Sequence, residues 1–190
     1  PMAGFKEANV IAGWSTNLFM MLLGVMFLFS IAQTNGTLEL FARKVVALSG
    51  DQTRMIPVAI YLMTTFLAAI GPGTIPVMAL TMPISMALAA ETGISPVLLA
   101  PITVLGSAAG GISPIAPTGI IGITLSAAQG IKGIDMPYFY NSLMAETIWA
   151  TILYFALGGH KIKTTKRLLQ SDLPSFNKNQ LITMAGIIAM

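Results

Sequence analysis

Side chains able to bind or move charge are sparse in this sequence, and two backbone features stand out in their place. Gly71-Pro72-Gly73-Thr74 and Gly110-Gly111-Ile112-Ser113-Pro114-Ile115-Ala116-Pro117-Thr118-Gly119 interrupt two long uncharged runs. Proline cannot continue a helix from within, and glycine permits backbone angles that other residues avoid. A broken helix leaves free N–H groups at one half-helix end and free carbonyls at the other. The first can hold an anion and the second a small cation. Gly71, Gly73, Thr74, Ser113, Thr118 and Gly119 are therefore candidate ligands for a small organic anion. Ser107, Gly110 and Glu146 are candidates for a coupling ion. The plainer reading of the second break is close helix packing through Gly106, Ala108, Ala109 and Gly110.

Glu146 lies inside the apolar segment 138–158. An ionisable group at membrane depth is costly, so it reads as a proton or cation site, or as a protonated structural carboxyl. Glu91 ends an apolar run beside Thr92-Gly93 and reads as interfacial; His160 borders a basic cluster and reads as solvated. No His, Cys or carboxylate grouping has metal-ligand spacing, and no phosphate-binding loop of the Walker type occurs. Catalysis, a metal centre and ATP-driven work are not expected. The expected small-molecule partners are the anion and a coupling ion, Na+ or H+. With no Cys there is no disulfide or thiolate chemistry. The basic residues do not interleave with aromatics, so nucleic-acid binding is not expected.

The elements that must position these groups follow from hydropathy. Of the 190 residues 55% are hydrophobic and 9% charged, and the mean hydropathy is +0.79. Soluble domains carry about 25% charged residues. The fold class predicted is an all-α integral membrane protein: a polytopic helical bundle with a re-entrant hairpin and a discontinuous helix. A first span is placed at 15–34, ended by Asn35-Gly36. An amphipathic helix at the interface follows over 37–54, with Leu38, Phe41, Val45 and Leu48 at helical spacing. From Met55 to Ala90 there are 36 uncharged residues. A helix that long would measure about 54 Å, against a bilayer core of about 30 Å. The chain must therefore turn, and 71–74 is the turn: a span over 55–70, then a hairpin segment over 71–93. The next 40 residues, Thr92 to Ile131, carry no charge either. They read as half-helices at about 95–109 and 119–130 around an unwound stretch, together a broken helix over 94–130. A span at 138–158 and a basic loop at 159–177 complete a first unit, 1–176. Residues 178–190 read as the truncated start of a second.

The cluster at 160–167 predicts a cytoplasmic loop of a multi-pass protein of the inner (plasma) membrane, with the loop at 35–54 on the outer side by parity. Trp14 and Tyr138 read as interfacial anchors. Seven of the eleven prolines lie between Pro72 and Pro117. Two such breaks in successive segments are the pattern of secondary transporters with discontinuous helices, working by alternating access. A channel or membrane scaffold without substrate uptake is the alternative.

Three stretches resemble the N-terminal domain of MatC-type dicarboxylate (malonate) carriers. They are 18–39, LFMMLLGVMFLFSIAQTNGTLE; Ala69-Ile70-Gly71-Pro72-Gly73; and Ser113-Pro114-Ile115-Ala116-Pro117-Thr118-Gly119-Ile120-Ile121. The likeness covers about 14–130. That family is similar to the ion transporter superfamily that includes the divalent anion:sodium symporters. The resemblance implies two inverted repeats, each with a re-entrant hairpin followed by a discontinuous helix. It implies a dicarboxylate substrate such as malonate or another C4-type acid. The Ser-Asn-Thr of the symporter hairpin tip corresponds to Gly71–Thr74 here, with the Thr alone retained. The chain would then be a fragment holding one repeat. Its partners would be the lipid bilayer, the missing second repeat and, as a candidate, a second copy in a homodimer.

Overall fold

The computed structural model describes residues 16–47, 52–162 and 174–188. Trp14, Lys163, Lys166 and Arg167 lie outside them. Regular structure among the described residues is helical: α1 (Thr16–Thr34), α2 (Thr37–Ala47), α3 (Ile56–Ala69), α4 (Thr74–Thr92), α5 (Pro96–Gly111), α6 (Pro117–Ala128), α7 (Asp135–Ala156) and α8 (Lys178–Ile188). Short 3-10 turns at Thr53–Met55 and Gly159–Lys161 precede α3 and follow α7.

Proline sets several of these boundaries. Pro57, Pro96 and Pro117 stand in the first turns of α3, α5 and α6, where a missing N–H costs nothing and the fixed φ suits a helix. Gly93 ends α4 in the left-handed conformation, φ 74°. Pro83 and Pro101 lie inside α4 and α5, and both helices continue through them. Residues 74–92 are thus one helix. The two-armed hairpin is made instead by α3 and α4, with the turn at 70–73 as its tip. The second break is also narrower than its composition suggests. Gly110 and Gly111 remain in α5, and Pro117 and Thr118 already belong to α6, so 112–116 are unwound.

α3 and α5 form the centre. Ile56, Ile60, Met63 and Leu67 of α3 and Leu98, Leu99 and Ile102 of α5 are buried there, with Val77 of α4. The two helices run in the same direction at very short separation. A Cβ added to Gly106 would collide with Thr64 and the Tyr61 carbonyl, and one added to Gly110 with the Thr65 carbonyl and the Ala69 nitrogen. Buried hydroxyls in this centre return their protons to their own helices: Thr64 to Ile60 O at 2.8 Å, Thr81 to Val77 O at 2.7 Å and Thr103 to Leu99 O at 2.8 Å. Ser85 and Thr103 also share a 2.8 Å bond that ties α4 to α5.

α7 runs opposite to α3. The Tyr61 and Thr147 hydroxyls share a 2.7 Å bond, and Tyr154 Oη donates to the Arg54 carbonyl at 3.1 Å. This contact sets the end of the bundle at which Arg54 lies. The Thr53–Met55 turn packs on the Gly159–Lys161 turn, so Arg54 and the first residues of the basic segment share one end of the molecule. The cause is the hairpin, which returns the chain to the end it left. Tyr138 also has a role beyond an interfacial anchor, since its ring packs on Gly122 and a Cβ there would lie 2.8 Å from Cε1.

By length and composition, one helix among those described is long and apolar enough to cross a membrane, Thr74–Thr92. Thr53–Ala69, Pro96–Gly111 and Pro117–Ala128 are apolar but shorter. α7 has the length of a span at 22 residues, and Asp135, Asn141 and Glu146 dilute its hydropathy. α2 is shorter than the predicted 37–54 helix. Its Leu38 and Leu40 are buried in the bundle, and an exposed Glu39–Arg43 pair at 3.1 Å marks its other face.

α8 docks on the elbow between α1 and α2. Asn35 Oδ1 accepts from the Thr37 amide at 3.0 Å, its Nδ2 donates to Thr183 Oγ1 at 2.8 Å, and Gln180 Nε2 donates to the Asn35 carbonyl at 3.1 Å. Gln180 and Thr183 are buried. Asn35→Ala removes a cap and a bond between partly buried groups. It is expected to cost about 1–2 kcal/mol, seen as a fall of about 3–6 °C in the melting temperature. Exposed Thr34→Ala serves as the reference, with a change within about 0.5 kcal/mol.

Candidate functional site

The two Pro/Gly breaks meet. Gly73 stands at the head of α4 with φ 78° and ψ −171°, a region open to glycine and closed to most other residues. A Cβ there would lie 3.0 Å from Pro117 Cδ, the first residue of α6. Gly111, at the end of α5, lies so close to Thr74 that a Cβ would collide with its hydroxyl and amide. Ser113 Oγ donates to the Ala69 carbonyl at 2.5 Å, joining the unwound stretch to the last turn of α3. Gly119 is buried against the Ser113 and Ile112 carbonyls, which folds the break tightly onto the start of α6. Four helix ends therefore converge: the C-termini of α3 and α5 and the N-termini of α4 and α6.

Of the candidate anion ligands, Gly71, Gly73, Ser113 and Gly119 are buried at this junction, Thr74 is partly exposed and Thr118 is exposed on the first turn of α6. The heads of α4 and α6 carry no side-chain cap, so their first N–H groups are not taken by the protein's own side chains. The Ser113 hydroxyl, by contrast, is already committed to Ala69. The coupling-ion candidates do not gather with them. Ser107 is buried and donates to Val104 O at 2.8 Å, and Gly110 is filled by the α3 backbone. Glu146 is partly buried on α7, beside the Thr147–Tyr61 bond.

A cavity of about 170 Å³ lies beside the first break, lined by Phe29, Ser30 and Gln33 of α1 and by Pro72, Pro76 and Val77. Ser30 and Gln33 bring polar atoms to the turn from a helix with no other link to it in sequence. Their signal was an i, i+3 pair of polar residues in an otherwise apolar run. Pro117, Gly111 and the Ala69 carbonyl were equally unsuspected as partners of the first break.

Secondary carriers commonly hold ions and solutes at the ends of interrupted helices. The chain belongs to the family described as the dicarboxylate carrier protein MatC N-terminus, whose profile matches residues 2–111. No curated protein and no solved structure matches the chain. The family is one of transporters rather than enzymes. The match includes Gly71, Gly73 and Thr74 and ends at Gly111, before the second break.

Proposed function

We propose that this chain supplies half of the substrate site of a secondary carrier for a small organic anion, a dicarboxylate such as malonate or a C4-type acid. The observation that carries this is the convergence of the two breaks, with Gly73 against Pro117 and Gly111 against Thr74. It aims two uncapped helix N-termini at one region beside a cavity. Such ends favour a carboxylate without a buried charged side chain. Thr74 and Thr118 supply hydroxyl donors. Ser30 and Gln33 supply further polar contacts from α1. A second, symmetry-related repeat would provide the other carboxylate's site and the surface against which this half rocks in alternating access.

The membrane setting is part of the proposal. α3 has 14 residues, about 21 Å of helix, which is short of a core of about 30 Å. A tip at 70–73 would then stop within the bilayer, as a re-entrant hairpin does. α7 buries Ala150 alone among its residues and exposes Met136, Tyr140, Met144, Ile148 and Trp149, a face suited to lipid. The basic segment from 160 faces the cytoplasm in this scheme, and Arg54 shares that side. Na+ or H+ is the coupling ion in this reading, with Glu146 the candidate carboxyl for a proton.

Uptake of labelled malonate, succinate and citrate, with and without sodium at two pH values, tests this in cells producing the whole open reading frame. Thr74→Val with Thr118→Val is expected to lower uptake at least about tenfold, from the loss of two hydroxyl contacts. Unchanged uptake in that variant would sink the site assignment. Conductance without saturable uptake would assign the chain to a channel instead.

A further inference from the structure

We propose that a groove between α3, α5 and α7 holds one acyl chain of an anionic phospholipid. The phosphate would sit on the cations of the Thr53–Met55 and Gly159–Lys161 turns. The groove measures about 330 Å³, and its walls include Pro57, Tyr61, Leu62, Ile102, Ala150 and Phe155. They are almost wholly apolar, so a hydrocarbon chain gains there and a polar solute does not.

One end of the groove is chemically marked. Pro57 follows Arg54 by three residues, and Phe155 precedes His160 by five. The Phe155 and His160 rings lie 5.6 Å apart, and Tyr154, another wall residue, donates to the Arg54 carbonyl. The two turns pack together, and Arg54, His160 and Lys161 are all exposed on them. Among the described residues neither Arg54 nor Lys161 has an ion-pair partner. An apolar slot ending in unpaired cations matches a molecule that is apolar along its length and anionic at one end. A phospholipid with a net negative headgroup satisfies both features. A second copy of the chain would cover the walls, but it would also have to bring carboxylates to the cations. The inference rests on the membrane setting proposed above and not on the substrate class. Lipid binding is read without transport, so a carrier that takes up no dicarboxylate leaves this test intact.

The purified protein in neutral detergent is titrated with phosphatidylglycerol or phosphatidylcholine of matched chains, and bound lipid is counted by native mass spectrometry. Phosphatidylglycerol is expected to bind at least about tenfold more tightly. Arg54→Gln with Lys161→Gln should weaken phosphatidylglycerol about 25-fold, at about fivefold per surface cation, and leave phosphatidylcholine unchanged. Thr151→Trp, which fills the groove from its exposed rim, should weaken both lipids. Unchanged melting in neutral detergent without added lipid confirms that each variant is folded. Equal binding of the two lipids, or retained preference in the double variant, would overturn the proposal. So would displacement of the lipid by inorganic phosphate alone, which would mark a simple anion site. A dimer that excludes phosphatidylglycerol would assign the groove to a second copy.

Discussion

Gly110→Val should lower the melting temperature by about 10 °C or more, the largest stability effect expected of a single substitution in this chain. Gly110 is buried where α3 and α5 touch. Its neighbours are the Thr65 carbonyl, the Ala69 nitrogen and the Ala68 methyl. Backbone atoms cannot swing aside as a side chain would, so the helices must separate along their length. That opens contacts among Ile60, Met63, Leu67, Leu99 and Ile102, which are all buried. Overpacking costs about 1–3 kcal/mol where flexible atoms yield, and more where they cannot. More than about 3 kcal/mol is expected here, at roughly 2–4 °C per kcal/mol for a chain of this size. Gly24→Val is the matched control. Nothing lies within 4 Å of a Cβ at Gly24, so the change there should stay within about 0.5 kcal/mol. Melting followed by far-ultraviolet circular dichroism compares the two. Coincident curves would show that α3 and α5 do not approach through Gly110.

Gly73→Val is expected to abolish most transport while leaving the helices in place. Two costs act at one residue. A β-branched side chain at φ 78° and ψ −171° is strained by about 1–3 kcal/mol, and its Cβ would press on Pro117 Cδ at 3.0 Å. The turn can relieve both by moving away from α6. That movement uncouples the tip of the α3–α4 hairpin from the second break. Gly93→Ala separates strain from position. Gly93 has a similar φ of 74°, but nothing lies within 4 Å of a Cβ there. The left-handed conformation costs alanine about 1–2 kcal/mol, and uptake should persist. Uptake by Gly73→Val is expected to fall at least about tenfold below that of Gly93→Ala at equal membrane abundance, for about 1.4 kcal/mol of lost positioning. Equal uptake by the two variants would show that contact with Pro117 is dispensable.

Much of the scaffold was legible because it depends on local chemistry. The stop at Asn35-Gly36 and the proline and glycine breaks at 71–74 and 110–119 act within a few residues of themselves. Helix boundaries could therefore be read to within a few positions. Errors arose where local rules conflict with packing. Gly110 and Gly111 looked like part of an unwound stretch. They stay helical because a close neighbour rewards the absence of a side chain. The hairpin segment read over 71–93 contains Pro83, yet α4 continues through it. One freed carbonyl costs less than unfolding a helix whose Val77, Thr81, Ser85 and Leu88 are buried.

The candidate site divides in the same way. Gly71, Gly73 and Thr74, and separately Ser113, Thr118 and Gly119, were visible as irregular chemistry in apolar runs. That Gly73 meets Pro117, that Ser113 bonds to Ala69, and that Ser30 and Gln33 line the neighbouring cavity joins residues about 40 apart in sequence, a separation on which residue type carries no information. That Arg54 shares one end with the Gly159–Lys161 turn was hidden for the same reason, since the two are about 100 residues apart in sequence.

By itself, then, the amino-acid sequence determined that this chain is helical, far poorer in charge than soluble domains, and interrupted at 71–74 and within 110–119. Those properties follow from hydropathy and from the backbone limits of glycine and proline, which need no partner to act. Tertiary structure alone decided that the two interruptions are one place. Four helix ends meet there because Gly106, Gly110 and Gly111 allow α3, α4 and α5 to approach to backbone contact.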